Sequence, residues 1–535
     1  MQKTRDSRTF LAWLLAALAA LALLLGYSHL YGDSWLSSDD SSEMILSHIL
    51  AGEGGILTEN WHYSTELRVL NTQLVWSALF RLSDRWHLVR LAGTAVSLVA
   101  LCLCIWLLCR WVGREKYTGW LCTIFLTPIC PVYFIIMLFG IYYVPHVSIS
   151  LLLTALFYRC TKARSRKEYV LLLIPGCVLS FLAGLGGLRQ LLIWHAPALL
   201  AVALLSLSGG ERPQVRRSGG FAAGAFLWAA AGYLVNSRIL SERYHFLSYE
   251  SIHFTDFDPE RVWQTVIDWM KLYGYRSGGK VFSADLFFNG AFAVTVLLIV
   301  CSAIAVLRRK ESYGPGERLI VWYYVSALLI LLLLYGFSDM EYADRYSIPL
   351  TVFGFVVVLL GCTDGADGAK GRAALLVLAV LIGIQGVGFY RTYSGERGGI
   401  RDEIVAGESY GSWGRKATSR SLLCRQLVTE GYTQGVATFW NSNVLTELSG
   451  GALEMWTIQN LNDGEARIFR WLQQTDHDTR RPEGKVFLIA GGSMDVGEPT
   501  AELVTGAEKV FHSGEYTAYC YASWQELESL LGADA

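Results

Sequence analysis

Long apolar runs are the feature of this sequence that most limits its possible folds. A helix needs about 20 mostly apolar residues to cross a bilayer core of roughly 30 Å. Eleven such runs are found: 10–31, 88–112, 118–139, 141–160, 169–187, 190–208, 218–236, 287–307, 318–337, 346–362 and 373–390. The first is too long for a cleavable signal segment and lacks its small-residue exit, which predicts a retained helix. The sequence therefore predicts a polytopic α-helical membrane protein.

Composition supports this class and excludes others. Of the 535 residues 53% are hydrophobic and 17% are charged, whereas a soluble domain has about 25% charged residues. A formal net charge of −1 argues against a nucleic-acid-binding protein. Nine of the eleven cysteines lie in or beside apolar runs without metal-ligand spacing, so they are interpreted as buried apolar side chains. A disulfide between the other two, Cys424 and Cys520, stays open.

Basic residues occupy every second loop. Because cytoplasmic loops are enriched in Lys and Arg, these loops are predicted to be cytoplasmic, with the N-terminus, in a multi-pass protein of the plasma membrane. They contain Lys3, Arg5 and Arg8; Arg110, Arg114 and Lys116; residues 159–167; Arg212, Arg216 and Arg217; residues 308–310; and Lys370 and Arg372. The long segments 32–87, 237–286 and 391–535 are then extracytoplasmic.

Two parts of the chain differ in composition. Residues 1–390 are predicted to form the transmembrane module, with outer loops 32–87 and 237–286, and residues 391–535 a small extracytoplasmic α/β domain. Strands are expected at 435–440, 453–459, 485–490, 509–512 and 516–521, and helices at 444–449, 466–474 and 524–531.

Ionisable residues are concentrated at the predicted outer side. The middle of every predicted span lacks Asp, Glu, Lys and Arg, and His146 and His195 lie toward the outer ends of their spans. Ion-coupled transporters usually keep ionisable or broken-helix sites near the membrane midplane. This pattern argues against such a transporter and favours chemistry at the outer surface.

The densest acidic cluster, Asp33, Asp39, Asp40 and Glu43, follows the first span. A carboxylate there could deprotonate an acceptor hydroxyl, and Asp39 with Asp40 could hold a divalent cation. The alternative is structural, because Asp40-x-x-Glu43 has the form of a capping box and acids before a helix are stabilised by its dipole.

Three further residues near the outer ends of spans are candidates for binding. Arg345 and Arg189 could each bind a phosphate. The structural alternative for Arg345 is an interface anchor paired with Asp344, and for Arg189 a side chain that snorkels to the interface. His146 could line a cavity, or simply belong to the first turn of its span.

Taken together, these residues resemble the GT-C superfamily of membrane glycosyltransferases, of the protein mannosyltransferase and lipid A aminoarabinose transferase type. The resemblance rests on Asp39-Asp40 after the first span, about eleven spans, the late Arg345-Tyr346-x-x-Pro349 and an outer C-terminal domain. It implies transfer of a sugar from a polyprenyl-phosphate donor to an extracytoplasmic glycan, lipid or protein. It also implies that Asp39 or Asp40 is the base and that Arg345 and more weakly Arg189 bind the donor phosphate. Tyr346 and His146 are further candidates for substrate contacts.

The sequence departs from that family at two places. Asp40 stands where those enzymes usually have Glu, and residues 61–68 replace an expected proline-rich stretch, which makes Tyr63 and Glu66 candidate contacts of a subfamily. We expect inversion at the sugar carbon. Two alternatives remain: a flippase or exporter of lipid-linked sugars without catalysis, and a receptor or scaffold, which a single span would suffice to anchor.

Overall fold

Helices make up most of the chain up to residue 393 in a computed structural model, which describes residues 2–65, 67, 69–246, 253–277, 284–340, 342–363, 368–395, 400–411, 413–461 and 467–531. The helices are α1 (Gln2–Tyr31), α2 (Ser38–Glu53), α3 (Gln73–Phe80), α4 (Trp86–Trp111), α5 (Thr118–Leu126), α6 (Pro131–Tyr133), α7 (Val144–Thr161), α8 (Arg166–Gly184), α9 (Ala196–Leu207), α10 (Arg212–Arg238), α11 (Pro259–Lys271), α12 (Ala284–Arg308), α13 (Pro315–Gly336), α14 (Ile348–Cys362) and α15 (Gly368–Tyr393). Two π-helical segments, Phe134–Phe139 and Leu191–His195, follow α6 and precede α9.

Nine of these helices are long and apolar enough to cross a membrane, within the described ranges: α1, α4, α7, α8, α10, α12, α13, α14 and α15. The predicted helical membrane bundle is confirmed, but the prediction of eleven uninterrupted spans is wrong. The run 118–139 is a broken pair bent by 107°. The run 190–208 is an apolar helix over Leu191–Leu207, shorter than the others. The count is therefore nine, or ten if the bent pair is one span.

Prolines explain the break between α5 and α6. The residue before a proline is pushed out of the helical region, and proline itself donates no backbone hydrogen bond. Thr127 precedes Pro128 and Cys130 precedes Pro131, and both Thr127 (φ −95°, ψ 124°) and Cys130 (φ −150°, ψ 165°) are extended. The chain therefore turns inside what composition alone marks as one apolar run.

The C-terminal domain is built on a mixed sheet. Two strands precede the domain, β1 (Trp61–Tyr63) and β2 (His245–Phe246). The strands within the domain are β3 (Ile404–Tyr410), β4 (Arg415–Thr418), β5 (Gln434–Thr438), β6 (Glu454–Ile458), β7 (Gln473–Gln474), β8 (Val486–Gly491), β9 (Lys509–Ser513) and β10 (Tyr516–Tyr521). The helices are α16 (Ser419–Thr429), α17 (Phe439–Leu448), α18 (Ala501–Gly506) and α19 (Trp524–Leu531). Five strands have the order β6-β5-β8-β10-β9, with β6, β5 and β8 parallel and β10 antiparallel to both neighbours.

Alternating side chains of the sheet face two separate cores. Phe487 and Ile489 of β8 pack with apolar residues of α16, whereas Val486 and Leu488 pack with those of α18 and α19. This alternation is the period of two that a strand imposes, and it confirms the predicted α/β class. Cys424 and Cys520 are buried free thiols. The expected helix at 466–474 is wrong: residues 467–472 are irregular up to the short strand β7, and 462–466 lie outside the described residues.

A second, three-stranded sheet joins the three segments that we predict to be extracytoplasmic. Within it, β1 of the first loop pairs in parallel with β2, which follows α10, and antiparallel with β7 of the C-terminal domain. All three segments therefore lie at one end of the bundle, which we call the outer face.

Candidate active site

A cavity of about 530 Å³ lies between the bundle and the C-terminal domain. Its charged lining comes from the bundle side and its aromatic lining largely from the domain. The residues include Asp39, Glu43, Thr65, Tyr142, Tyr143, Arg189 and Arg345 on the first side, and Phe439, Trp440, Phe469 and Trp471 on the second. Asp39, Arg189 and Arg345, which lie more than 100 residues apart in sequence, thus share one cavity.

The two acids lie in the first turn of α2, where a helix dipole favours negative charge. Ser37 is the N-cap: its Oγ accepts from the Asp40 backbone N–H at 3.4 Å and donates to Asp40 Oδ2 at 2.6 Å. The proposed capping box of Asp40 with Glu43 is therefore wrong, because the helix begins three residues earlier than that pattern requires.

Asp39 and Asp40 have different surroundings. Asp39 is half-buried and lines the cavity, whereas Asp40 is 1% exposed and does not line it. A Cβ at position 140 would collide with Asp40 Oδ1, so the glycine there leaves room for this carboxyl. Burial raises the pKa of Asp40 to about 7, against the opposing attraction of Arg90. Such a strongly perturbed carboxyl beside a cavity is typical of functional sites.

Arg189 and Arg345 form a cationic pair in the lining of the same cavity. The Arg189 guanidinium lies 5.3 Å from the ring centroid of Tyr143 and 5.5 Å from that of Tyr346. The Arg345 guanidinium lies 5.5 Å from the same Tyr346 ring. The two guanidinium groups are close enough to interact electrostatically. The two positively charged guanidinium groups repel each other although both lie near the same aromatic ring, and a bound anion would offset that repulsion.

Strained backbone flanks this cavity on both sides. Ile141 has φ 51° and Leu472 has φ 50°, two of three non-glycine residues with positive φ in the part of the chain that the structure describes. This conformation is costly for any residue with a side chain and most so for a β-branched one. Ile141 precedes the lining residues Tyr142 and Tyr143, and Leu472 follows Trp471. Strain of this kind persists where surrounding contacts impose it and is concentrated at functional sites.

A separate apolar groove meets the cavity at Arg189. It also measures about 530 Å³ and lies among α10, α13, α14 and the π-helical segment Leu191–His195, with Leu192, Tyr233, Leu331, Leu334 and Phe353 among its lining residues. Arg189 and Thr65 line both spaces. This groove is not predictable from the sequence, because apolar residues at helical spacing do not show whether a helix face packs against a neighbour or borders an opening.

The other predicted contacts do not all reach the cavity. Tyr346 lines the groove. Tyr63 is buried, and its hydroxyl donates to the Thr58 carbonyl at 3.2 Å. His146 lies beside Gln190, whose Nε2 donates to the His146 carbonyl at 2.9 Å. Neither Tyr63 nor His146 lines the cavity, and Glu66 lies outside the described residues. The aromatic residues of the C-terminal domain were missed, since nothing in the sequence links them to Asp39.

Metal binding at the acids stays a prediction. The described part of the chain contains no group of three or more His, Cys, Asp or Glu side chains that could hold a metal ion. Asp39 faces the cavity and Asp40 does not, so the two carboxylates do not present a shared ligand set there.

Fold and site together define a helical membrane protein whose polar cavity opens beside an apolar groove under an α/β domain. No family model and no curated protein matches the sequence. Among solved structures, the chain is similar to an oligosaccharyltransferase from Archaeoglobus fulgidus, whose crystal structure holds a tethered acceptor peptide with the NVT sequon. The TM-score is 0.40 at 11% identity, over 82% of this chain. The match spans 63% of the length of that enzyme, less than two thirds.

Proposed function

We propose that the protein is a membrane glycosyltransferase of the GT-C superfamily that transfers a sugar from a polyprenyl-phosphate donor to an acceptor outside the cytoplasm. The observation that carries this proposal is the junction of the polar cavity with the apolar groove at Arg189. A polyprenyl-phosphate sugar has the same order of parts: an apolar chain, a phosphate and a polar sugar. The protein mannosyltransferase and aminoarabinose transferase type remains our choice of subfamily.

The donor fits with its chain in the groove and its phosphate at the junction. Arg189 borders both spaces, and Arg345 shares the Tyr346 ring with it. Guanidinium groups bind phosphate oxygens through paired, charge-assisted hydrogen bonds. In this pose the sugar extends into the cavity. As the bond from the anomeric carbon to the phosphate oxygen breaks, the two arginines stabilise the negative charge that develops on the leaving phosphate.

The acceptor hydroxyl would react on the side of Asp39. Its oxygen forms the new bond to the anomeric carbon, its proton passes to the carboxylate, and polyprenyl phosphate leaves on the opposite face with inversion. General-base catalysis of this kind contributes about 10²–10⁴-fold. Asp39 is the better candidate for the base because it lines the cavity, and Asp40 lies directly behind it.

The aromatic side of the cavity is suited to the acceptor. Trp440, Phe469 and Trp471 are half-buried there, and flat aromatic faces offer large contact area with little loss of side-chain entropy. Cell-envelope glycans, lipids and proteins remain the acceptor classes that we consider.

The alternative is a flippase or exporter of the same lipid-linked sugar, which would use the groove and the cavity without breaking a bond. Purified protein in lipid nanodiscs, supplied with a panel of labelled polyprenyl-phosphate sugars and with membrane extract as acceptor, distinguishes the two. Transferase activity releases polyprenyl phosphate, and Asp39→Asn should abolish that release while the protein still inserts and folds. Glu53→Gln, at the exposed far end of the same helix, is the matched control. Absence of release with every donor would refute the transferase.

A further inference from the structure

The segment that carries the acids is fastened to the C-terminal domain at successive positions. The carboxylate of Asp33 accepts from Arg415, and the carbonyl of Leu36 accepts from Arg420 Nη2 at 3.0 Å. Ser38 Oγ donates to the carbonyl of Phe439, the first residue of α17. These contacts extend along residues 33–38 and lead directly to the first turn of α2, so the domain holds the approach to both acids.

A further contact between the domain and α2 runs through Arg90 of α4. Its guanidinium pairs with the carboxylate of Glu447 on α17, with Nη2 to Oε2 at 2.6 Å, and Nε donates to Oε1. The same Nη2 donates to the carbonyl of Asp40 at 2.8 Å. Arg90 is 6% and Glu447 7% exposed. A spanning helix, the C-terminal domain and the acid-bearing helix therefore meet at one buried ion pair.

Charges from several elements act on the Asp40 carboxyl. Arg90 of α4 and Arg401 of the domain attract its ionised form, Asp39 repels it, Ser37 donates to it, and Tyr142 lies nearby. Of these, Arg90 opposes the effect of burial most strongly. Glu447 compensates the charge of Arg90, and so sets how much of that charge Asp40 experiences.

We infer that Arg90 and Glu447 are positioning residues, through which the C-terminal domain fixes the place and the charge of the acids on α2. The inference rests on the proposed function, because it assigns those acids a role in transfer. The domain then has a second role besides covering the cavity. The acids keep the position and charge needed for transfer only while α17 is docked on α2.

The test uses two substitutions with opposite expected effects. Arg90→Met removes a positive charge that attracts the ionised acids of α2, so the pH at which transfer reaches half its maximum should rise, since a neighbouring arginine lowers a carboxyl pKa by roughly 1–3 units. Glu447→Gln leaves the charge of Arg90 uncompensated, so that pH should fall. Glu447→Asp keeps the charge and should keep the wild-type profile. Glu454→Gln, which disrupts an ion pair with Arg480 inside the domain, is the matched control and should not move it.

A purely structural role predicts a different result: lower activity in both variants with an unchanged midpoint, or midpoints that move the same way. Either outcome overturns the inference. The pH dependence of thermal unfolding, compared with and without Asp40→Asn in each background, reports the same charge effect without requiring activity. If the wild-type protein transfers no sugar, the proposed function fails, whereas opposite shifts in the unfolding profiles would still support the positioning of Asp40 by Arg90 and Glu447.

Discussion

The Asp40→Asn substitution removes a charge that folding buries, and its effect on stability can be worked out from the site. The pKa of Asp40 is raised from its ordinary value of 3.8 to about 7, chiefly by burial. Between these values the unfolded chain loses the proton while the folded protein keeps it. Rising pH therefore favours unfolding over this window, and the loss of stability is complete above about pH 7.

The difference spans roughly three pH units, and each unit corresponds to 1.36 kcal/mol, which gives about 4 kcal/mol at most. Asn carries no charge and does not incur this cost. The variant should therefore resemble the wild type near pH 4 and become progressively more stable in comparison up to pH 8. The amide hydrogens of the introduced Asn need hydrogen-bond partners in the buried site, which reduces the increase in stability.

Thermal unfolding in detergent, followed by tryptophan fluorescence between pH 4.5 and 8, measures this difference. Multi-pass proteins rarely unfold in two states, so the apparent Tm values of variants are compared at the same pH. Asp84→Asn, at an exposed carboxylate of the first outer loop, is the control and should show no such trend. A Tm difference for Asp40→Asn that stays constant with pH would refute the electrostatic reasoning.

Three further predictions concern the donor, the acceptor and the docked domain. Arg345→Gln should slow the release of polyprenyl phosphate by about 10²–10³-fold, the usual effect of losing one charge-stabilising donor, and Arg345→Lys should retain part of the rate. Trp471→Ala should raise the acceptor KM in the transfer assay without changing slow hydrolysis of the donor. Arg420 pairs with the buried Asp402, with Nε to Oδ2 at 3.3 Å. Arg420→Met leaves the Asp402 carboxylate buried without its ion-pair partner and should lower the free energy of unfolding by roughly 3–5 kcal/mol. The double variant with Asp402→Asn should recover much of the lost Tm.

Much of the fold follows from sequence because each span and strand is specified by its own residues. Apolar length predicts α1, α4 and seven other spans, and alternation predicts strands such as β8. The break in the run 118–139 follows from its own prolines, whereas the error at 466–474 occurred where a distant contact decides. The expected helix at 466–474 is replaced by an irregular segment that Gln473 stabilises, since its Oε1 accepts from the Thr457 backbone at 3.2 Å. Local periodicity contains no information on such a contact.

The candidate site was predictable on one side only. Asp39, Arg189 and Arg345 stand out because the middle of every predicted span lacks Asp, Glu, Lys and Arg, and ionisable residues are concentrated at the predicted outer side. Trp440 and Trp471 come from a domain that begins about 350 residues after Asp39. An aromatic residue in an α/β domain is usually part of its core. Only the docking of α17 on α2 brings them to the same cavity.

The meeting of groove and cavity at Arg189 has a consequence for how such a protein would respond to its substrate. A donor bound in this way keeps its hydrocarbon tail among α10, α13, α14 and the π-helical segment before α9, and presents only its head group to the cavity. Encounter then occurs by lateral diffusion within one leaflet. The quantity that governs the rate is accordingly the mole fraction of donor among the lipids, so adding inert phospholipid at constant protein and donor should slow turnover as effectively as removing donor.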